Sequence, residues 1–320
     1  MLANHPRLRM VGRRLAQIVP VIVLATFIVF GLLKLVPGDV AATLAGEYAT
    51  DERVAQIRVA YGLDQPFLVQ YWHWLWNAAH LDLSRSFMSN EPVLDQILHR
   101  FPTTLLLVFC ALLISLSVGV PLGILAATRV GSRVDVAVTS IASFGVALPS
   151  FWLAMILVAT FSLSLGWFPA TGAVRWSVDP RLAVWYAVLP AVALAAGGMA
   201  EVVRQLRSAL IEVLASQYVR TLYAKGLSPT AILWKHGLKN VAVTLLTVIG
   251  LLTSRLLGGA VVIEAVFAIP GMGSMVVRAA IVKDFPVVQG VVFAMVILVI
   301  AINMVIDVLY TLVDPRVALK

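Results

Sequence analysis

The chain has 320 residues, of which 61% are apolar and 12% charged, and its mean hydropathy is +0.95. A water-soluble domain carries about a quarter charged residues, so much of this chain's exterior must face something other than water. The formal net charge of +8 is carried by particular loops between apolar runs, which is a topology signal and not a nucleic-acid footprint. Cys110, the only cysteine, permits neither an intramolecular disulfide nor a thiolate metal cluster and reads as a small buried hydrophobe.

A bilayer core takes about 20 apolar residues per helix, and six stretches qualify: 15–36, 103–127, 134–165, 183–200, 240–263 and 287–313. The first follows Arg7, Arg9, Arg13 and Arg14 but is longer than a secretory signal core, and no small-x-small cleavage site comes after it. It is expected to be an uncleaved first helix, with Lys34 snorkelling at its outer end. The fourth stretch is the weakest, because Pro190 interrupts it and Gly197 and Gly198 loosen its end. The expected architecture is an all-α membrane protein with about six transmembrane helices. Residues 1–100 hold the first helix and an extracytoplasmic segment, and residues 101–320 hold the transmembrane domain.

Basic residues set the orientation. With the N-terminus inside, the inner segments hold Arg7, Arg9, Arg13, Arg14, Arg129, Arg133, Arg204, Arg207, Arg220, Lys225, Lys235, Lys239, Arg316 and Lys320, whereas the two short outer loops hold Arg175, Arg181, Arg278 and Lys283. That bias places both termini in the cytoplasm. The long outer segment, 37–101, contains Gln70-Tyr71-Trp72-His73-Trp74-Leu75-Trp76. Amphipathic aromatics prefer the headgroup level, so an interfacial helix is expected there in preference to an aromatic ligand cage. His73 and His80 lie seven apart but have no carboxylate to complete a metal site.

The most informative polar stretch is the inner segment 201–239, too long for a plain connector. Val203, Leu206, Leu210, Val213 and Leu214 recur at helical spacing. A second short helix is expected over 217–225, ended by Gly226, where a left-handed cap costs little. Ser228 and Pro229 suit the cap and first turn of a third helix. Such a helix–glycine–helix elbow fits either a groove on another protein or an anionic lipid surface.

The residues of the elbow carry a resemblance. Tyr218-Val219-Arg220-Thr221-Leu222-Tyr223-Ala224-Lys225-Gly226-Leu227-Ser228 resembles the cytoplasmic coupling loop of binding-protein-dependent ABC importer permeases, in the dipeptide/oligopeptide/nickel branch. The general signature is Glu-Ala-Ala, three residues, then Gly; here Arg220, Thr221 and Leu222 replace the first three and Gly226 is kept. Five further segments resemble the branch in order. They are Pro37-Gly38-Asp39 (with Val40 where Pro is common), Arg100-x-Pro102-Thr103-x-x-Leu106, Ala147-x-Pro149-Ser150-Phe151-Trp152, Glu264-x-Val266-Phe267-x-x-Pro270-Gly271-x-Gly273 and Asp284-Phe285-Pro286-x-x-Gln289-Gly290. Asp307-x-x-Tyr310-x-x-x-Asp314-Pro315-Arg316 closes the series.

The resemblance implies a type I ABC importer permease fold in the bacterial cytoplasmic (inner) membrane. It implies a paralogous permease as heterodimer partner, two cytoplasmic ABC ATPases carrying ATP and Mg, and an extracytoplasmic substrate-binding protein. Tyr218, Val219, Arg220, Thr221, Ala224, Lys225 and Gly226 would then form the ATPase-coupling loop. Glu264, Phe267, Pro270 and Gly271 are candidates for the outer mouth, although an ordinary exposed loop fits that stretch too. Small peptides are the expected cargo, with nickel complexes, opines and glycosides left open.

The chain has no phosphate-binding loop, no zinc-protease helix and no nucleophile elbow, so no catalytic residue, metal ligand or cofactor is assigned to it. Charge within the spans is sparse, which argues against a proton- or sodium-coupled carrier, the main rival. Arg255, inside the fifth stretch, costs on the order of 3 kcal/mol to insert and must face protein or a wet path. A place on the translocation path, a structural pair with an acid, and a contact with the partner permease all fit it. Asp307 lies too near the opposite membrane face to be a good mate.

Overall fold

Apart from the break at 148–149 and the turn at Leu165, the described residues of 18–34 and of the other five apolar runs are helical in the computed structural model, which describes residues 6–35, 38–46 and 48–313. The side chains of Arg7, Arg9, Arg13 and Arg14, and all of Pro37, Asp314, Pro315, Arg316 and Lys320, fall outside what is described. The helices are α1 (Pro6–Lys34), α2 (Val40–Ala45), α3 (Asp51–Ala60), α4 (Phe67–Ala79), α5 (Val93–Thr128), α6 (Arg133–Ala147) and α7 (Ser150–Leu157), the last running on into a π-helical turn, Val158–Ser164. They continue with α8 (Pro180–Leu214), α9 (Gln217–Ala224), α10 (Pro229–Ala231) followed by a π-helical turn (Ile232–Gly237), α11 (Leu238–Val266), α12 (Met272–Ile281) and α13 (Phe285–Val313). Among the described residues the only β-type pairing is one isolated bridge, Arg85 with Pro92.

Four helical stretches are long and apolar enough to cross a membrane: Val93–Thr128, Pro180–Leu214, Pro229–Val266 and Phe285–Tyr310. The bent pair Arg133–Ala147 and Ser150–Ser164 makes a fifth, and α1 is apolar from Ile18 to Lys34. Two expectations need correction. The stretch 134–165 is not one straight helix but turns by 98° between its halves. Pro149 pushes the preceding residue out of the helical region, and Leu148 is extended at φ −81°, ψ 125°. Conversely, Pro190 does not interrupt the fourth stretch: α8 runs unbroken for 35 residues and takes in the first part of the supposed inner loop.

The chain forms two compact units, one of residues 1–102 with 271–300 and the other of residues 103–270 with 301–320. In the first, α4 lies along α1. Tyr71 places its hydroxyl 3.0 Å from Thr26 Oγ1 and donates to the Val23 carbonyl at 2.9 Å, and Phe27 and Phe30 meet Phe67 and Tyr71 edge-on. One face of the aromatic run, Tyr71 and Trp74, is therefore core, while Trp72 and Trp76 stay exposed. Asp284 is buried between α12 and α13. It accepts from Ser86 Oγ at 2.5 Å and from the Phe87 N–H at 3.0 Å, pinning the loop that precedes α5. Asp39 caps α2 through the Ala41 N–H at 2.9 Å and pairs with Arg58 at 2.5 Å. Partial burial works against its ionisation, but those two partners hold the Asp39 carboxyl below the usual carboxylate range.

In the second unit α8 is the central element, with α6, α7 and α11 packed on it. Small residues let the backbones approach, as they do between helices in lipid. A Cβ on Gly119 would lie 2.9 Å from the Val202 Cβ, and one on Gly198 would lie 2.7 Å from Ser115 Oγ and 2.8 Å from Leu252 Cδ1. Gly198, expected to loosen a helix end, is there for close packing.

Candidate functional site: a capped elbow and a charged cavity

The elbow is built from two helix caps. Ser216 ends the approach from α8 and its side chain accepts from the Val219 N–H at 3.4 Å, starting α9. Val219 and Leu222 are the two buried residues of α9, held against Ile232 with Leu214 and Leu227 around them. At the other end the Gly226 N–H reaches the Tyr223 carbonyl at 2.9 Å and the Leu227 N–H reaches the Leu222 carbonyl at 3.2 Å. Together with the Leu222–Leu227 packing, this is the Schellman arrangement, which requires a left-handed residue at its pivot. Gly226 supplies it at φ +80°. Ser228 Oγ then accepts from the Ala231 N–H at 3.3 Å to begin α10, and Pro229 occupies the first turn.

What remains of the elbow points outward. Tyr218, Arg220, Thr221, Ala224 and Lys225 are exposed, a face with two cations and no carboxylate. Tyr218 is steadied by His236, whose Nδ1 is 2.7 Å from the phenolic oxygen.

Behind the elbow an ion pair fixes α8. Arg207 donates through Nε to Asp135 Oδ1 at 2.6 Å and through Nη2 to Oδ2 at 2.7 Å. Asp135 is buried in the first turn of α6 and also accepts the Gly131 N–H at 2.9 Å. Sequence reading placed Arg207 only as a charge on the inner side and did not single out Asp135. The one local signal is the Ser-x-x-Asp spacing from Ser132, whose Oγ accepts the Asp135 N–H at 3.2 Å.

Farther along α8, Glu201 is buried and forms an ion pair with Arg255 of α11. The two line a cavity of about 240 Å³, with Arg204, Ser150 and the small residues Ala193, Ala196, Gly197, Gly198 and Gly259 in its wall. Glu201 is 13 residues before the end of α8 and Arg255 is 11 before the end of α11, so each sits about 16–20 Å from its nearer helix end. Glu201 was not picked out as a site residue from the sequence.

The remaining candidates sit apart from that cavity. Glu264 is wholly buried nine residues beyond Arg255, and Thr104 Oγ1 donates to its Oε1 at 2.6 Å. Phe267 is buried as well, and its carbonyl accepts the Gly172 N–H at 2.8 Å. Ala268 takes the left-handed conformation at φ +50°, and the Ile269 N–H closes on the Glu264 carbonyl at 2.9 Å, so α11 ends in the same kind of cap as α9. Pro270 is exposed, and Gly271 precedes α12 with extended backbone. Among the described residues no three His, Cys, Asp or Glu side chains are grouped to hold a metal ion.

Comparison with known proteins gives consistent matches along the chain. Residues 119–319 match the family described as the binding-protein-dependent transport system inner membrane component, and residues 7–108 match the N-terminal part of such a membrane component. A peptide transport system permease protein of Brucella suis is 44% identical over 305 residues, covering 95% of this chain and 97% of its own length. The dipeptide transport system permease protein DppB of Escherichia coli is 35% identical over 337 residues (98% and 99%). The oligopeptide transport system permease protein AppB of Bacillus subtilis is 34% identical over 308 residues (95% and 98%). Among solved structures, an inward-facing form of the MetNI methionine ABC transporter matches with a TM-score of 0.57 and 19% identity, over 68% of this chain and 96% of that one. That likeness is one of fold.

Proposed function

The chain belongs to the family of binding-protein-dependent transport system inner membrane components, and from that premise we propose that it forms half of the path by which an ATP-driven importer moves small peptides. The peptide cargo is supported by relatives named for peptide, dipeptide and oligopeptide transport that match almost end to end. The chain itself performs no bond chemistry. A substrate-binding protein delivers peptide from outside, a paralogous permease supplies the other half of the path, and two cytoplasmic ATPases carry ATP and Mg.

The observation that carries the mechanism is the elbow. Residues 217–226 are a short helix, Gln217–Ala224, and its glycine cap, held by two caps and two buried apolar side chains, with its cationic face outward. Such a knob fits a groove on an ATPase, and the α8 helix behind it passes displacement into the membrane. ATP binding must favour one arrangement of the pair over the other for anything to move. The orientation proposed has both termini and the elbow in the cytoplasm, residues 1–100 contributing the first helix and the extracytoplasmic segment, and Glu264, Phe267, Pro270 and Gly271 toward the outer mouth.

Cysteine labelling of intact cells tests the orientation: position 60 is expected to react from outside and position 220 only after permeabilisation. Reaction at 220 from outside overturns it. Uptake tests the rest. Proteoliposomes holding both permeases and both ATPases are expected to import peptide only with ATP and the binding protein, and import by this chain alone would make it a stand-alone carrier.

A further inference from the structure

Within the apolar helices of the second unit, a carboxylate and a guanidinium pair directly at the wall of a cavity lined by glycine, alanine and aliphatic side chains. We infer that the Glu201–Arg255 pair is the station at which a passing peptide is held by its two charged ends, Glu201 taking the α-ammonium group and Arg255 the α-carboxylate; this rests on the peptide reading above.

Charge at that depth is costly and needs a compensating partner. When the cavity is empty the two side chains compensate each other. A free peptide is a zwitterion, so it replaces the internal pair with two new pairs and leaves no charge unmatched in either state. The exchange also keeps the net gain small, which suits a site that must release its cargo. A neutral or singly charged solute parts the pair without re-pairing both members and is disfavoured.

The geometry suits a short peptide. A dipeptide in extended form spans at most about 7 Å, so the two side chains, in contact when the cavity is empty, swing apart to take its ends. The wall beside them mixes glycine and alanine with the aliphatic side chains of Val146, Leu148, Leu194, Leu252 and Leu256, and a Cβ on Gly197 would meet nothing within 4 Å. Residue side chains of the cargo therefore meet apolar surface and the space beside Gly197 while its ends meet charge, the pattern expected of a site that accepts many sequences. Arg204, three residues from Glu201 on α8, lines the same wall.

The test uses the permease pair with its ATPases in nanodiscs, without the binding protein, so that selection by that protein is removed. Binding of glycyl-leucine, N-acetyl-glycyl-leucine and glycyl-leucinamide is measured by saturation-transfer NMR. The parent complex is expected to bind the zwitterion roughly tenfold more tightly than either blocked form, as befits loss of one charge-assisted contact. Glu201→Gln should abolish the preference over the acetylated peptide alone, and Arg255→Gln the preference over the amide alone. Gly197→Leu, whose side chain projects into open space, should assemble normally and lose binding of all three. No binding by the parent, equal binding of all three peptides, or unchanged preferences in either neutral variant would overturn the assignment. Complexes that fail to assemble with Gln do not shield it, because the parental ranking and Gly197→Leu decide it alone. ATP-driven uptake of glycyl-leucine with the binding protein present is run in parallel. If the parent imports the peptide but shows a flat ranking, only this inference falls; if it imports no peptide, the cargo reading falls.

Discussion

Asp135 and Arg207 lie 72 residues apart in the chain and meet through two parallel hydrogen bonds of 2.6 and 2.7 Å. The fork of a guanidinium matches a carboxylate in a way an ammonium does not. The bond joins the start of α6 to α8 seven residues before α8 ends, so the helix that carries the elbow is fixed at its base.

Arg207→Met should leave the buried Asp135 carboxylate without its cation and lower the melting temperature of the detergent-solubilised complex by several degrees. Arg207→Lys should recover part of the loss, because it restores charge but not the fork. Fluorescence-detected size-exclusion chromatography after heating reads both. Equal stability of Met and Lys variants would show that the fork contributes nothing.

Gly226 has open space where a Cβ would go, so a substitution there is felt through backbone strain alone. Left-handed backbone costs an alanine about 1–2 kcal/mol, and a β-branched residue more. Gly226→Val should therefore unwind the cap of α9 while the complex still assembles, and substrate-stimulated ATP hydrolysis in nanodiscs should fall to near the basal level. Gly226→Asn, which tolerates the conformation, should retain most of it. Arg220→Glu should also uncouple if Arg220 meets an acidic rim on the ATPase, and its defect should ease at high salt if it meets only lipid. Full stimulation in an intact Gly226→Val complex would put the coupling elsewhere.

Ala268 occupies the position that Gly226 occupies in the other cap, yet carries a Cβ at φ +50°. Replacing it with glycine removes strain of about 1–2 kcal/mol and adds unfolded-chain entropy worth about 0.4–1 kcal/mol. Relief wins, so Ala268→Gly should stabilise by roughly 0.5–1 kcal/mol, and Ala268→Val should destabilise. Thermal denaturation of the purified complex measures the sign, and a lower melting temperature for the glycine variant would contradict the argument.

In the first unit Gly290 of α13 lets Val93 approach so closely that a Cβ would lie 2.5 Å from its Cγ1. Gly290→Ala should cost about 1–3 kcal/mol by overpacking. Val93→Ala in the same chain should give back much of it, a non-additive pair in a double-mutant cycle. Strictly additive losses would mean that the two residues are not opposed.

Features carried by neighbouring residues could be read before any coordinates. Gly226 as the pivot after 217–225, and Ser228 with Pro229 at the next start, depend on spacing within a few positions, and the structure places them as expected. Long-range partners could not be read. Glu201 with Arg255, Asp135 with Arg207 and Thr104 with Glu264 are separated by 54, 72 and 160 residues, and no periodicity links them. Pro190 misled because a proline weakens a helix in water, whereas here it lies in the buried stretch of α8, with Leu189, Ala191, Ala193 and Leu194 buried around it. The 98° turn at Pro149 was missed because apolar residues run unbroken through it, and hydropathy carries no angle.

On the coupling role proposed for the elbow, the unbroken course of α8 makes it a lever that moves together with α6 through the Asp135–Arg207 pair. Its pivot at the elbow lies 13 residues from Glu201, about 20 Å along the axis. A tilt of only about 5° at the elbow carries Glu201 sideways by roughly 1.7 Å, enough to part a hydrogen bond that tolerates a few tenths of an ångström. A movement far too small to unpack the helix can thus open an ion pair in the membrane, and no relay of side-chain rearrangements has to lie between them.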